Sequence, residues 1–462
     1  MRERSRSRFI PILGIGLLSL GLPLTLASKG PPEATTQSAP ASYRYEPHTQ
    51  PLPYRTSLTH QAVLPPARGF DVAAFETLAE HLTIGQQVPG ISMAIVQNGR
   101  VLSARGYGVT DVVSPERVDA HTVFRLASLS KAFAGTLTGL LVSDGTLRWD
   151  SKVSDYVTDF QLSDPWATRR VTVADLLSHR MGLQAYNAYD RDIEANLGYR
   201  EAAHKLSSAP MKCMPGECYA YQNVAFSLVG DVVAAASGSD FEQAVEQRIF
   251  KPLGMHDASM GLTGIHKSQR WARPHVRSRN GWVSLDTPKP TYYRLAPAAG
   301  ANASASDMAQ WLIAQTGHRP DVLPAPLLAT LQSPIIATPG EMRSGWRRDR
   351  VQSASYALGW RVFDYAGHRV VFHAGAVQGY RGVVALVPER DLGIAIMWNG
   401  ESGAPAGLLP TIIDSAIGIP PSQWIDTPVF DTLMAGARGT APVESTEADE
   451  GASSDRATAS PH

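Results

Sequence analysis

The sequence predicts an α+β fold with two lobes: an antiparallel β-sheet flanked by helices, and a second, mostly helical lobe. Three observations carry this expectation. Strand-like runs stand at both ends of the region 70–425. The stretch between them, about 130–355, reads as helices and long loops. An Asn98-Gly99 pair joins the first two strand-like runs, which is a strong hairpin signal. Strands from the two ends most simply pair into one sheet, and a cleft between sheet and helical lobe is a usual place for a ligand.

The elements follow in order. A helix is expected from Asp71 to about Thr83, then strands over Gly90–Val96 and Val101–Tyr107. A strand-like Thr122–Leu126 leads into an apolar helix carrying Leu129, Ala132, Phe133, Leu137, Leu140 and Leu141, ended by Asp144-Gly145. Val173–His179, Val224–Ala236, Phe241–Phe250 and Ser306–Ala314 carry helical spacing. His368–Phe372, Gly382–Val387 and Leu392–Trp398 are the C-terminal strands, and a helix over about Gly407–Ile417 follows.

The flanks have different compositions. Arg2, Arg4, Arg6 and Arg8 precede an apolar run, Phe9–Ala27, with Thr25 and Ala27 at cleavage spacing. Residues 1–27 read as a secretory signal peptide. The run is also long enough for a retained membrane anchor, but Pro11, Pro23 and the glycines oppose a stable spanning helix. Either reading exports the chain to the periplasm or exterior. Residues 28–69, rich in Pro, Ser, Thr and Gln, read as a disordered linker, and 426–462 as a disordered tail. Lys+Arg and Asp+Glu balance at 42 each, so no global charge recruits nucleic acid. Cys213 and Cys218 are the only cysteines. A Pro215-Gly216 turn brings them toward bridging range in an oxidising compartment, although the span is short; the alternative is two small buried residues.

The chemistry gathers at Ser128-Leu129-Ser130-Lys131. Residues i and i+3 share a helix face, so Lys131 lies beside the Ser128 hydroxyl. Burial and the positive helix end both push Lys131 toward the free amine that a general base must be. An N-cap serine followed by a surface lysine produces the same string, so partners decide. Tyr219-Ala220-Tyr221-Gln222-Asn223 follows the Pro215-Gly216-Glu217 turn. Tyr221 is placed to shuttle a proton, and Asn223 to hold Lys131 and a substrate carbonyl. In Val371-Phe372-His373-Ala374-Gly375-Ala376, a charged His373 on an edge strand attracts a carboxylate, Gly375 lets a substrate approach, and the Ala376 N–H completes an oxyanion hole. The basic cluster Arg343, Arg347, Arg348 and Arg350 reads as a solvated loop.

Together these elements resemble the penicillin-recognising serine hydrolases, in particular the branch of class C β-lactamases, D-alanyl-D-alanine peptidases and related esterases. Phe124-Arg-Leu-Ala-Ser128-Leu-Ser-Lys131 is similar to that family's Ser-x-x-Lys element, Tyr221-Gln-Asn223 to its Tyr-x-Asn element, and His373-Ala-Gly375 stands where it has Lys-Thr-Gly or His-x-Gly. The resemblance implies a β-lactamase/transpeptidase-like fold and an acyl-enzyme on Ser128, with Lys131 and Tyr221 as the base. It implies that Asn223, His373, Gly375 and Ala376 bind the substrate, and that no metal or cofactor takes part. The implied partner is a small-molecule or peptidoglycan-type substrate with an amide, ester or β-lactam carbonyl. The alternative is a penicillin-binding or wall-binding protein with little turnover. No lysine follows Lys289, so a Lys-Thr-Gly element is absent, which favours peptidase, amidase or esterase chemistry over efficient β-lactam hydrolysis. Carboxylate capture would then fall to a fractionally charged His373 or to an arginine such as Arg381.

Overall fold

The structure, a computed structural model, describes residues 63–438. The expectations for a leader at 1–27 and for most of the linker and tail lie outside the described residues. In chain order the strands are β1 Gly90–Gln97, β2 Arg100–Gly108, β3 Phe124–Arg125, β4 Ser259–Met260, β5 His275–Ser278, β6 Gly281–Ser284, β7 Ala301–Ala303, β8 Ile336–Ala337, β9 Val351–Tyr356, β10 Arg361–Tyr365, β11 His368–Val377, β12 Tyr380–Val387 and β13 Leu392–Trp398. The large sheet has eight strands in the order β2-β1-β13-β12-β11-β10-β9-β8. The N-terminal hairpin thus joins the C-terminal strands through the antiparallel β1–β13 pair, Ile91 opposite Trp398. Smaller sheets, β3-β7-β4 and β5-β6, lie outside it.

The hairpin forms for a local reason. Asn98 and Gly99 both take positive φ, 49° and 68°, the geometry whose twist matches the flanking strands. The sheet interior is apolar for a non-local one. Ile91, Met93 and Ile95 of β1 pack into one core, and Ala94 and Val96 into the other. Both faces are covered, so β1 and β13 read as nearly continuous apolar runs rather than alternating ones. The helices Val72–Ile84 and Leu408–Ile417 cover one face, the first capped by the Asp71 carboxylate on Ala73 N–H at 2.9 Å. The helical lobe covers the other, centred on the helix Ser130–Ser143, where Ser130 through Leu141 are all buried.

Two boundaries differ from expectation. The body does not stop at Ile425: a helix over Phe430–Arg438 buries Phe430 and Met434 in the core beneath Val72–Ile84. Phe430, Leu433 and Met434 stand at i, i+3 and i+4, a one-stripe pattern too short to stand out beside a polar tail. At the other end, Leu64 and Ala67 N–H groups bond the carbonyls of Glu389 and Ala416, which pins the last residues of the expected linker.

The arginine cluster is solvated only in part: Arg343 and Arg348 are exposed as expected, but Arg347 and Arg350 are not. Arg350 makes a two-pronged pair with Asp414, at 3.0 and 2.9 Å, and Asp414 is fully buried. Arg347 pairs with Glu341 at 2.9 Å. Cys213 and Cys218 are joined by a disulfide, the first of the two alternatives.

Candidate active site

Strand β3 delivers the chain to Ser128 through a tight turn. Ala127 takes φ 50°, which an L side chain rarely adopts, and Ala127–Leu129 forms a 3-10 turn ahead of the helix Ser130–Ser143. Such a backbone costs about 1–3 kcal/mol and persists only where its surroundings hold it. Ser130 does so: its hydroxyl donates to Ala127 O at 2.6 Å and accepts from Ala301 N–H at 2.9 Å. That occupies Ser130 as a structural clamp. Between Thr122 and Leu141, Ser128 is the one residue that is not buried.

Lys131 is fully buried, with Nζ 3.2 Å from Ser128 Oγ. It donates to Asn223 Oδ1 at 2.7 Å and to Ala298 O at 3.0 Å. A neutral amine has two N–H donors and one lone pair. Both donors are used by these oxygens, so the lone pair is left for the Ser128 hydroxyl proton. Burial holds the Lys131 amine well below the ordinary lysine range, with Asp190 opposing this shift and Arg361 adding to it.

Tyr221 lies beside the same hydroxyl, close enough for Ser128 to lower its pKa. Its ring has Lys131 Nζ 4.8 Å from one side and the Arg361 guanidinium 5.2 Å from its centroid. Burial pushes its hydroxyl up to about 12, and Arg361 and Ser128 only partly counter this. The disulfide closes the loop that leads to Tyr221, and Asn187 N–H bonds Tyr221 O at 2.7 Å.

Asn223 departs from expectation. Its Nδ2 donates to Asp190 Oδ2 at 2.7 Å and to Asn187 Oδ1 at 3.3 Å. Asn223 thus holds Lys131 through Oδ1 as expected, while both amide hydrogens, expected to face a substrate carbonyl, bond within the protein. Asp190 was not singled out by sequence reading. It is buried, also accepts from Tyr292 OH at 2.9 Å, and carries an Oδ1 without a hydrogen-bond partner. Burial raises its affinity for a proton, against the Asn223 and Tyr292 bonds and the nearby Lys131.

His373 also departs from expectation, since it is fully buried. Burial first, then the Arg361 guanidinium, holds it well below the ordinary histidine range. The bonds give one consistent set of tautomers. Gln222 N–H donates to His179 Nδ1 at 3.2 Å, so His179 Nε2 donates to Tyr356 OH at 3.2 Å. Tyr356 OH donates to His373 Nε2 at 3.0 Å, and His373 Nδ1 donates to Ala374 O at 2.9 Å. This chain supports Tyr221, whose ring stacks on His179 at 4.3 Å. The permanent cation here is Arg361, 3.2 Å from His373 Nε2 and paired with Glu341 at 3.1 Å. Arg381, the other candidate, is occupied at the carbonyls of Val377 and Tyr380.

Strand β10 begins at Arg361, opposite Phe372, so β11 has no β10 partner from His373 onward, where it packs on the Ser128 turn. A Cβ on Gly375 would stand 2.4 Å from Leu126 O and 3.1 Å from Ser128 N. The missing side chain therefore makes room for the Ser128 turn itself. Gly375→Ala should push that turn aside and lower kcat/KM by about 100-fold, since misplacement by an ångström has that effect. Steady-state kinetics beside an unfolding curve checks this, because the loss is expected in turnover even where the protein stays folded. Ala376, one residue on, is exposed.

The site thus holds a serine on a strained turn, a buried amine 3.2 Å from its hydroxyl and a tyrosine beside both. A family model described as "Beta-lactamase" matches residues 75–416. The chain belongs to the beta-lactamase family. It is 26% identical over 350 residues to "Unguisins hydrolase ungD'" of Aspergillus campestris, covering 73% of this chain and 64% of that protein. It is 25% identical over 329 residues to "Protein flp" of Staphylococcus aureus, covering 71% and 63%. The chain thus spans somewhat less than two thirds of the length of these curated relatives. Among solved structures, the fold is similar to an octameric penicillin-binding protein homologue of Pyrococcus abyssi, with TM-score 0.68, 23% identity and coverage of 77% and 79%. It is also similar to a D-stereospecific amidohydrolase of Streptomyces sp., with TM-score 0.59, 19% identity and coverage of 75% and 98%. This beta-lactamase-family fold, an antiparallel sheet with flanking helices, is the one expected from the sequence.

Proposed function

We propose that this chain is an exported serine hydrolase that forms an acyl-enzyme on Ser128. One observation carries the reading: Lys131 Nζ lies 3.2 Å from Ser128 Oγ and meets only Asn223 Oδ1 and Ala298 O besides, so a neutral amine that donates to those two oxygens turns its lone pair to Ser128 Oγ. Lys131 takes the Ser128 proton as Oγ attacks the substrate carbonyl. Tyr221, kept neutral by burial, relays that proton to the leaving group. The Ser128 and Ala376 N–H groups receive the oxyanion, and water then releases the acyl group. Export rests on the basic and apolar N-terminal pattern over 1–27.

Among carbonyl substrates an amide is favoured. Similar proteins include a hydrolase of unguisins and a D-stereospecific amidohydrolase. A β-lactamase specialised for carboxylate-bearing substrates is not favoured, because His373 is uncharged and Arg361 is matched by Glu341. Slow turnover, as in a penicillin-binding protein, is the second reading, supported by the fold of the Pyrococcus abyssi homologue.

Mass spectrometry with a fluorescent penicillin, with and without Ser128→Ala, separates these. The expected result is a Ser128-dependent adduct or turnover that the substitution abolishes. A long-lived adduct marks the penicillin-binding reading, and rapid turnover a lactamase. Ester or amide cleavage without an adduct, lost in Ser128→Ala, marks an amidase or esterase. Activity that survives Ser128→Ala on every acyl substrate rules the reading out.

A further inference from the structure

Asp190 has no assigned part in the chemistry, yet it sits one residue behind it. Its Oδ2 accepts from Asn223 Nδ2 at 2.7 Å and from Tyr292 OH at 2.9 Å. An amide side chain has two ends of nearly the same shape. A carboxylate on one end fixes which way it faces: Nδ2 must point to Asp190, so Oδ1 must point to Lys131. Asn187 Oδ1 reinforces this by taking the second Nδ2 hydrogen at 3.3 Å. Were the amide reversed, its N–H groups would meet the Lys131 donors head on and turn the amine away from Ser128.

We propose that Asp190 is a positioning residue for the serine hydrolase reaction, acting on Lys131 through Asn223. The inference rests on the acyl-enzyme reading above and deepens it. The chain Tyr292 → Asp190 ← Asn223 ← Lys131, ending at Ser128, is a carboxylate–amide–amine analogue of the carboxylate–imidazole relay that orients a base by hydrogen bonding. Asp190 also supplies charge. When Lys131 takes the Ser128 proton it becomes an ammonium, buried at no exposure to solvent. Several groups face that ammonium. Asp190 comes from the helix Asp190–Glu194 and Arg361 from β10, while His179 and His373 are held neutral and Tyr221 and Phe226 present ring faces. Asp190 is the one carboxylate among them, and it offsets the like charge of Arg361.

The sign of the effect follows. A base must be unprotonated, so reactivity rises with pH through the Lys131 ionisation. A negative neighbour favours the ammonium and moves that rise to higher pH. Removing the charge moves it to lower pH while it weakens the base and frees the amide.

The test is the rate at which a fluorophosphonate probe labels Ser128 in the full chain, followed across pH. The variants are Asp190→Asn, Asp190→Glu and Tyr292→Phe. Asp190→Asn should lower the plateau rate by about 100-fold, the scale of a misplaced catalytic group, and shift the acid limb to lower pH. Asp190→Glu keeps the charge and should lower the plateau while leaving the limb in place. Tyr292→Phe removes only a surrounding hydroxyl and should lower the plateau several-fold in a folded protein. A folded Asp190→Asn with an unmoved limb overturns the proposal, whether or not its plateau falls, because a structural role alone lowers the rate at every pH. If Asp190→Asn does not fold, an unchanged Tyr292→Phe overturns it. Loss of labelling in every protein, wild type included, instead removes the serine hydrolase reading on which the proposal stands.

Discussion

Lys131→Met should end turnover without unfolding the protein. Methionine has nearly the length of lysine and suits a buried, apolar channel, so the helix Ser130–Ser143 keeps its packing. What it loses is the lone pair 3.2 Å from Ser128 Oγ. Removing a positioned general base costs between about 100- and 10,000-fold in rate, and a serine without one is not a useful nucleophile. Two acceptors, Asn223 Oδ1 and Ala298 O, also lose a donor, at about 1–3 kcal/mol each, and escape from burying an amine offsets part of that. In the wild type, kcat/KM should rise with pH along a single acid limb that lies well below the ordinary lysine value, because burial disfavours the ammonium. The limb should vanish with Lys131. A limb that persists in Lys131→Met assigns the base to another group, with Tyr221 the first to examine. Initial-rate measurements across pH on both proteins decide it.

The second large effect concerns stability. Asp414→Ala should lower stability by about 3–5 kcal/mol, the scale for breaking a buried ion pair from one side. Asp414 is fully buried and takes four donors: Arg350 Nε at 3.0 Å, Arg350 Nη2 at 2.9 Å, Tyr365 OH at 2.5 Å and Trp424 Nε1 at 2.8 Å. The carboxylate, on the helix Leu408–Ile417, thus collects donors from three other places in the chain: the end of the helix Trp346–Arg350, β10, and the segment before Phe430. The carboxylate therefore ties the sheet to the helices on its outer face. Removing it strands the buried Tyr365 phenol and the half-buried Arg350 guanidinium and Trp424 indole together. A urea titration should show a lower midpoint with an unchanged slope, and Ser128 labelling at low denaturant should persist, since the network is remote from the site. A midpoint within error of the wild type contradicts this account.

Much of the fold is legible because its signals are local. Asn98-Gly99 needs only two backbone angles to make a hairpin, and the first hairpin, the helix after Ser128 and the last strand, Leu392–Trp398, fall close to their expected bounds, whereas strands β4 to β10 were not expected. The outer layer was read less well. Helix Phe430–Arg438 has one short apolar stripe beside a polar tail, and its order comes from Phe430 and Met434 entering a core built by residues hundreds of positions earlier. The arginine cluster misled for the same reason. Composition marks Arg350 as a surface residue, and only the fold brings Asp414 under it.

The site divides along the same line. The sequence by itself determined that Ser128 and Lys131 share a helix face and that this helix is apolar, because the helical repeat settles both within four residues. It also determined that Tyr221 and Asn223 follow a turn and precede a helix. Only the tertiary structure decided what those side chains do. Asn223 turns its amide N–H groups inward because Asp190 takes one of them, and His373 is held well below the ordinary histidine range because the fold closes over it and sets Arg361 beside it. Gly375 serves the nucleophile turn because β11 presses on Leu126. Spacing along the chain encodes neighbours within a turn of helix. Charge state, donor count and burial depend on groups brought together from distant positions, and these quantities exist only once the chain is packed.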